Sequence, residues 1–267
     1  RRDSATAVGI AAELALQRGP QTVVGIFAAD HIVRKPEAFA ALCVEAGAAA
    51  AEGFIVTLGI EPDHPATGYG YIQPGEAVSR GSAARRVAAF VEKPNEDKAR
   101  TYVAEGYLWN SGNFLFRADV MRDELQTFQP EIAAAAAQAV AASRLDLQFR
   151  VLDAEAMGAS PKTSIDYAVM EHTRRAVVLP ADIGWSDVGA WSTVMELSDR
   201  DGEGNSIQGD GLVLGAQNVL VRSPDQLTAV IGVSDVIVVT TQDAVLVLDT
   251  AHADKVKDLV AELKSRG

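Results

Sequence analysis

The chain has 267 residues, of which 48% are hydrophobic and 22% are charged, proportions that are typical of globular proteins and exclude a disordered or collagen-like chain. With 24 Lys and Arg against 36 Asp and Glu, the net charge is −12, which argues against a nucleic-acid partner because an acidic surface repels phosphate backbones. The single cysteine, Cys43, excludes an intramolecular disulfide and a cysteine-rich zinc site.

The sequence contains no run of 18 apolar residues, so we expect no membrane span and no membrane partner. The opening residues lack the apolar segment of a secretion signal, and the expected compartment is the cytoplasm.

The first part of the chain alternates helical and strand-like patterns. Apolar residues at helical spacing predict a helix over 4–18, and the pattern over 37–52 predicts a second. The almost wholly apolar run 22–28 predicts a strand buried on both faces of a parallel sheet, and 54–60 predicts the next strand. This order of elements is typical of an α/β protein.

A Pro- and Gly-rich stretch over 61–75 predicts a loop, and 87–92 predicts a strand. Asn95 is the expected N-cap of the helix that follows. Further along, the patterns predict a strand-like segment at 107–117 and a strand at 176–179. They also predict helices at 118–128, 130–144, 164–173 and 188–197.

The composition changes at 199–205, where Asp and Gly accumulate. Short apolar runs punctuated by turn residues follow, and they predict a small β-rich module that ends in a helix over 252–264. We therefore place a domain boundary near residue 204, which divides the chain into 1–203 and 204–267.

Two acidic residues occupy tight polar turns after strands or strand-like segments, Asp30 in Ala-Ala-Asp-His and Asp187 in Gly-Trp-Ser-Asp-Val-Gly. Ligands of open α/β sheets bind beyond the carboxyl ends of the strands, and two carboxylates there can share one Mg²⁺. The alternative is that each caps a helix. His31, beside Asp30, is either a packing residue or a base.

Glu92 and Lys93 follow the predicted strand 87–92 directly. A carboxylate can accept hydrogen bonds from sugar hydroxyls, and a neighbouring ammonium can face a phosphate as a point charge. The alternative is an exposed charge pair with no ligand.

The segment Gly68-Tyr69-Gly70-Tyr71 combines glycines, which allow a backbone to approach a ligand closely, with rings that offer a stacking face. The alternative is a plain turn with Tyr69 or Tyr71 in the core. Asn110, in Trp-Asn-Ser-Gly, can donate to and accept from a hydroxyl, or it can serve a local turn.

Seven segments, taken together, resemble the mannose-1-phosphate guanylyltransferases, and they span nearly the whole chain. The most specific are Phe-Val-Glu-Lys-Pro at 90–94 and Gly-Trp-Ser-Asp-Val-Gly-Ala-Trp at 184–191. The other five lie at 2–7, 28–31, 65–72, 106–112 and 164–171.

The resemblance implies an α/β fold with a Rossmann-like mixed sheet of the nucleotide-diphospho-sugar transferase type. Residues 1–203 would form the catalytic domain, and 204–267 a C-terminal β-rich module with a terminal helix. The implied reaction makes GDP-mannose and pyrophosphate from GTP and mannose 1-phosphate. The alternatives are another hexose phosphate or nucleotide, or a non-catalytic homologue that binds sugar nucleotides and regulates a partner.

The resemblance also implies roles for individual residues. Asp30 and Asp187 would hold Mg²⁺ as the cofactor, and Lys93 would steady the sugar phosphate. These three are the implied catalytic residues. The implied substrate-binding residues are Gly68, Tyr69, Gly70, Glu92, Lys93, Asn110 and Trp185.

Two further expectations come from the resemblance. Its members open with a strand and a Gly-x-Gly-x-Arg loop for the nucleotide triphosphate, and this sequence contains no such loop, so we expect it to start after that segment. The resemblance is also compatible with a homodimer.

Overall fold

A computed structural model describes residues 2–266, and Arg1 and Gly267 lie outside the described residues. The chain divides into two compact units, Arg1–Trp185 and Ser186–Gly267. The predicted domain limits, 1–203 and 204–267, rest on the change of composition. They differ from the limits of these two units and stay a prediction.

Unit one combines helices with a central sheet. Its helices are α1 (Asp3–Leu16), α2 (Pro36–Ala51), α3 (Glu96–Ala104), α4 (Ala118–Phe128), α5 (Pro130–Ala141) and α6 (Ala154–Ala159), with a π-helix at Asp166–Met170. Its strands are β1 (Val23–Ile26), β2 (Ile32–Val33), β3 (Ile55–Ile60), β4 (Tyr71–Ala77), β5 (Arg85–Val91), β6 (Leu108–Arg117), β7 (Arg144–Asp146), β8 (Phe149–Val151) and β9 (Ala176–Pro180). The unit boundary falls within β10 (Trp185–Ser186).

The central sheet has the strand order β1-β6-β3-β9-β5-β4, and β4 also pairs with β6. Strands β3 and β9 run parallel, and the other pairs in this order are antiparallel. The predicted α/β architecture with a mixed sheet is confirmed.

Strand β3 forms the middle of unit one, and all six of its residues are buried. Successive side chains of a strand point to opposite faces. Ile55 therefore packs into an apolar cluster with α1, α4 and α5, while Val56 and Leu58 pack into a second cluster with α2 and α3. A strand covered on both faces explains why 54–60 reads as a continuous apolar run.

Three of the differences between the predicted elements and the structure have a clear physical reason. The prediction of a strand buried on both faces of a parallel sheet over 22–28 is wrong. Strand β1 stands at one end of the strand order given above, pairs antiparallel with β6, and alternates between exposed and partly buried residues. The loop predicted over 61–75 ends early, since Tyr71 is fully buried and begins β4. The helix predicted over 188–197 begins instead at Trp191, after Val188 adopts a φ of 52° that interrupts helical geometry.

Unit two contains α7 (Trp191–Leu197), four strands and a terminal helix. The strands are β11 (Ser206–Leu214), β12 (Val219–Ile231), β13 (Val236–Thr240) and β14 (Val245–Asp249), followed by a 3₁₀-helix at Thr250–Lys255 and α8 (Val256–Arg266). Strands β11, β12 and β13 stack in parallel, and β14 joins β13 antiparallel. The predicted β-rich module with a terminal helix is confirmed.

Alternation along β12 fills two apolar layers of unit two. Val219 and Val221 pack with Val238 on one face, and Leu220 packs with Ile237 on the other. Across residues 2–266, no helix is both long and apolar enough to cross a bilayer.

The crowding around Gly59 in β3 generates a first prediction. A Cβ at this position would lie 2.5 Å from Val178 Cγ2 and 2.7 Å from Leu108 Cδ1. We expect Gly59→Ala to lower the free energy of unfolding by about 1–3 kcal/mol, the usual range for overpacking a core. Denaturant titration followed by circular dichroism measures this.

Gly47→Ala is the matched control, because Gly47 lies within α2 and a Cβ there meets no atom within 4 Å. Alanine favours a helix over glycine by about 1 kcal/mol, so this variant should be neutral or more stable. Equal destabilisation of both variants would contradict the packing of β3.

Candidate functional site

The pairing of β4 with two strands brings the predicted ligand residues together. Tyr71, the first residue of β4, lies opposite Val91 of β5 and opposite Trp109 of β6. Both pairs are antiparallel, so the residue before Tyr71 faces the residue after Val91 and the residue after Trp109. Gly70, Glu92 and Asn110 therefore meet at one end of the sheet.

A glycine is required at position 70. A Cβ there would lie 2.6 Å from Glu92 Oε2 and 3.4 Å from Asn110 Cβ. The backbone N–H of Asn110 donates to the Gly70 carbonyl at 2.8 Å, and the Lys93 N–H donates to the Tyr69 carbonyl at 3.2 Å. The Tyr69–Gly70 backbone is thus bound to both neighbouring segments.

Glu92 and Lys93 form an asymmetric ion pair. The Glu92 side chain is 6% exposed and that of Lys93 is 58% exposed, and Lys93 Nζ donates to Glu92 Oε1. The alternative of an exposed charge pair fits Lys93 but not Glu92, whose carboxylate is buried. Burial lowers the pKa of the Lys93 ammonium, but the hydrogen bond and charge of Glu92, with the Asp166 carboxyl, outweigh it and raise that pKa. Lys93 therefore stays charged.

Asn110 is buried, and its side-chain amide takes part in three hydrogen bonds, two as acceptor and one as donor. Its Oδ1 accepts from Thr57 Oγ1 at 2.8 Å and from the Gly112 N–H at 3.2 Å, and its Nδ2 donates to Asp166 Oδ1 at 2.9 Å. A carbonyl oxygen has two acceptor positions and an amide nitrogen has two protons. One N–H of Asn110 is therefore left for a ligand.

Asp166 was not among the site residues predicted from the sequence. It begins the π-helix Asp166–Met170, a rare type of turn that is frequent at functional sites. Burial, and then the nearby Glu92 carboxylate, raise the pKa of Asp166 to about 6. Its sequence signal is weak, because an acidic residue in the helical pattern 164–173, which also contains Glu171, normally lies on the surface.

We define the charged cluster as Glu92, Lys93, Asn110 and Asp166. Next to it, aromatic rings pack edge to face. The centroid of the Tyr69 ring lies 4.9 Å from the ring centroid of Trp109 and 5.4 Å from the ring centroid of Trp185.

Trp185 reaches a second predicted segment, because its Nε1 donates to His31 Nδ1 at 3.1 Å. This bond requires an unprotonated Nδ1, so His31 acts here as an acceptor that orients Trp185. The contact brings the turn that carries Asp30 next to the aromatic rings.

The remaining predicted residues lie in more open positions. Asp30 is exposed in the turn after β1 and caps no helix, since Lys35 is the N-cap residue of α2. Gly68 is exposed. Asp187 belongs to unit two, where its Oδ1 accepts from the Gly189 N–H at 3.1 Å, and the N-cap residue of α7 is Ala190. The helix-cap alternatives for Asp30 and Asp187 are therefore wrong.

Among residues 2–266 no group of three or more His, Cys, Asp or Glu side chains is arranged to hold a metal ion. Mg²⁺ is commonly held by one or two protein carboxylates, with phosphate and water oxygens as its other ligands. Asp30 and Asp187 have the oxygen donors that such a site needs, and their pairing on one ion stays a prediction.

Comparison with known proteins gives two family matches. The family model "Nucleotidyl transferase" matches residues 1–204, and the model "MannoseP isomerase/GMP-like beta-helix domain" matches residues 209–263.

Individual relatives match along the whole chain. It is 44% identical over 267 residues to the xanthan biosynthesis protein XanB of Xanthomonas campestris pv. campestris (strain B100), covering 100% of this chain and 56% of that protein. It is 44% identical over 272 residues to the mannose-1-phosphate guanylyltransferase of Escherichia coli (strain K12), covering 100% and 57%. The chain thus spans little more than half the length of these relatives.

Among solved structures, a mannose-1-phosphate geranyltransferase from Thermus thermophilus matches with a TM-score of 0.84 and 33% identity, covering 98% of this chain and 76% of that one.

The raised pKa of Asp166 generates a second prediction. Folding raises the pKa of Asp166 from 3.8 to about 6, because the folded state disfavours its ionised form. The free energy of unfolding therefore falls as the pH rises through this interval. At about 1.4 kcal/mol per pKa unit, the loss between pH 4 and pH 8 is at most roughly 3 kcal/mol. Asp166→Asn removes the ionisation, so we expect it to match the wild type at pH 4 and exceed it in stability at pH 8.

The measurement is thermal or denaturant unfolding of both proteins across this pH range. Asp225→Asn is the control, since Asp225 is exposed in β12 and its variant should follow the wild-type profile. Parallel pH profiles for the wild type and Asp166→Asn would contradict a buried, ionisable Asp166.

Proposed function

Since this chain belongs to the nucleotidyl transferase family, we propose that it makes GDP-mannose and pyrophosphate from GTP and mannose 1-phosphate. The observation that carries the proposal is the buried Glu92 beside the exposed Lys93, against the Gly70 backbone. The name of the Escherichia coli relative supports the choice of substrates. A cytoplasmic location and a homodimer belong to the same proposal.

The charged cluster suits a sugar phosphate, which has hydroxyls at one end and a dianion at the other. Glu92 Oε1 accepts from Lys93, and its Oε2 packs against the Gly70 backbone while keeping an acceptor position that a sugar hydroxyl could use. Because the Lys93 side chain is exposed and its ammonium stays charged, it can neutralise the phosphate. The Gly68–Gly70 backbone, Asn110 and the rings of Tyr69 and Trp185 would complete the substrate site.

The chemistry requires no nucleophile from the protein. An oxygen of the sugar phosphate attacks the α-phosphorus of GTP in line, and the bond to the β-phosphate oxygen breaks as pyrophosphate leaves. Such transfers are accelerated by positioning and by neutralising charge on the phosphates. In this proposal Glu92 and Asn110 orient the sugar, and Lys93 holds the attacking phosphate.

We also propose Mg²⁺ as the cofactor, with Asp30 and Asp187 as its protein ligands. When bound, the ion would supply positive charge that neutralises the phosphates. Two carboxylates suffice for this, because the nucleotide phosphates and water supply the other ligands.

The role of Lys93 generates a third prediction. Lys93→Ala removes the charge that faces the phosphate, so mannose 1-phosphate should bind more weakly by about 1.5–3 kcal/mol, the range for hydrogen bonds to charged groups. Isothermal titration calorimetry measures the affinity. Lys98→Ala removes an equal charge from α3 and should bind like the wild type. Unchanged affinity in Lys93→Ala would refute the assignment.

The metal ligands generate a fourth prediction. Asp187→Asn removes one charge at the proposed Mg²⁺, so the Mg²⁺ concentration needed for half-maximal pyrophosphate release should rise at least tenfold. Asp210→Asn, an exposed change in the same unit, should have the wild-type requirement. Wild-type activity of Asp187→Asn at limiting Mg²⁺ would contradict the assignment of Asp187 as a metal ligand. Sugar-phosphate binding without pyrophosphate release from GTP would instead favour a regulatory homologue.

A further inference from the structure

Asp166 approaches the proposed sugar site from a segment that is remote in sequence from the other members of the charged cluster. It accepts the Nδ2 proton of Asn110 at 2.9 Å from the first position of the π-helix Asp166–Met170. At the other end of this helix, Glu171 Oε1 accepts from the Glu92 N–H at 3.4 Å. The π-helix therefore contacts both strand segments that carry the proposed sugar ligands.

We propose that Asp166 is a positioning residue for the sugar site, because its carboxylate fixes the Asn110 amide in the single orientation that offers one N–H to a hydroxyl of the hexose. The inference rests on the proposed function for the identity of the ligand. The hydrogen-bond network is present whichever ligand binds.

The network leaves the amide one orientation. The Gly112 N–H can only donate, so it requires the Asn110 oxygen on its side, and Thr57 Oγ1 donates to the same oxygen. The Asp166 carboxylate can only accept while ionised, so it requires the Asn110 nitrogen. Without Asp166 the two donors to the oxygen would still favour this orientation, but the amide would lose the one hydrogen bond that anchors its nitrogen, so it would rotate more freely.

A carboxylate is costly at this position, which argues for a specific use. The groups that act on the Asp166 carboxyl are Glu92 and Lys93 beyond β5, the Ser164 hydroxyl before the π-helix and the Asn110 amide. The burial of Asp166 and the like charge of Glu92 both disfavour its ionised form. Residues retained at a cost in stability are characteristic of functional sites.

The test compares three substitutions at position 166 in the intact protein, with mannose 1-phosphate as the probe in calorimetric titrations at pH 7.5. Asp166→Ala removes the acceptor, and Asp166→Leu removes it while filling the space. We expect both to weaken binding about tenfold, equivalent to about 1.4 kcal/mol. Asp166→Asn retains an acceptor oxygen but can also turn its nitrogen toward Asn110, so a loss of about two- to threefold is expected.

A purely structural role predicts a different series, in which Leu, which fills the space, binds like the wild type. Wild-type affinity in Asp166→Leu, or affinity within twofold of the wild type in all three variants, would overturn the inference. Asp225→Asn is the control and should bind like the wild type. GTP affinity should be unchanged in every variant, and a parallel loss of GTP binding would also overturn the positioning role.

A second readout needs no substrate. In protein labelled with ¹⁵N-asparagine, the Asn110 side-chain amide protons should exchange with solvent faster in Asp166→Ala and Asp166→Leu than in the wild type. Unchanged exchange would overturn the inference even if the proposed function holds. Failure of the wild type to bind mannose 1-phosphate, with the expected change in exchange, would instead overturn the proposed function and leave the Asp166–Asn110 contact supported.

Discussion

The site depends on the register of β4, which pairs with β5 and β6 at the same residue. Tyr71 lies opposite both Val91 and Trp109, and this double pairing brings Gly70, Glu92 and Asn110 to one point. A shift of one residue would turn every side chain of β4 to the other face of the sheet. Tyr71 prevents such a shift, because its fully buried ring packs in the core and its hydroxyl donates to the Ala66 carbonyl at 2.9 Å.

Once the register is set, the charged cluster follows from the need to satisfy buried polar groups. Glu92 is buried and finds Lys93, and Asn110 is buried and finds Thr57, Gly112 and Asp166. Two carboxylates then lie near one ammonium, and burial, followed by the negative charge of Glu92, disfavours the ionised form of Asp166 and raises its pKa. This arrangement is less stable than an apolar one, and it creates a place that attracts hydroxyl donors and, through Lys93, a phosphate.

Much of unit one could be predicted from local sequence because its signals are local. Asn95 caps α3 by accepting from the Lys98 N–H at 3.0 Å, as expected from an Asn before a polar helix. The buried strand 54–60 was evident from its unbroken apolar run. The surroundings of β1 were not, because the apolar run 22–28 reports residue types and not the neighbours that cover them.

The residues of the candidate site could likewise be predicted only where they stand in local sequence motifs. Glu92, Lys93 and Asn110 stand in motifs with polar residues at strand ends, and sequence reasoning could select them. Asp166 gave no such signal, since an acid in a helical pattern is normally a solvated surface residue. Its contact with Asn110 joins positions 56 residues apart and depends on the packing of a π-helix that no local pattern predicts.

Gly70 lies where the register of β4 and the charged cluster meet. Its conformation is ordinary, so the reason for glycine there is space, since any side chain would displace the Glu92 carboxylate or the Asn110 side chain. Crowding of this kind allows the backbone to form part of a binding surface, because nothing larger than hydrogen projects from it. The same register that buries Tyr71 therefore places the Gly70 backbone, which carries no side chain, beside the buried Glu92 carboxylate. A polar ligand that enters there meets groups already held in position, which lowers the entropy lost on binding.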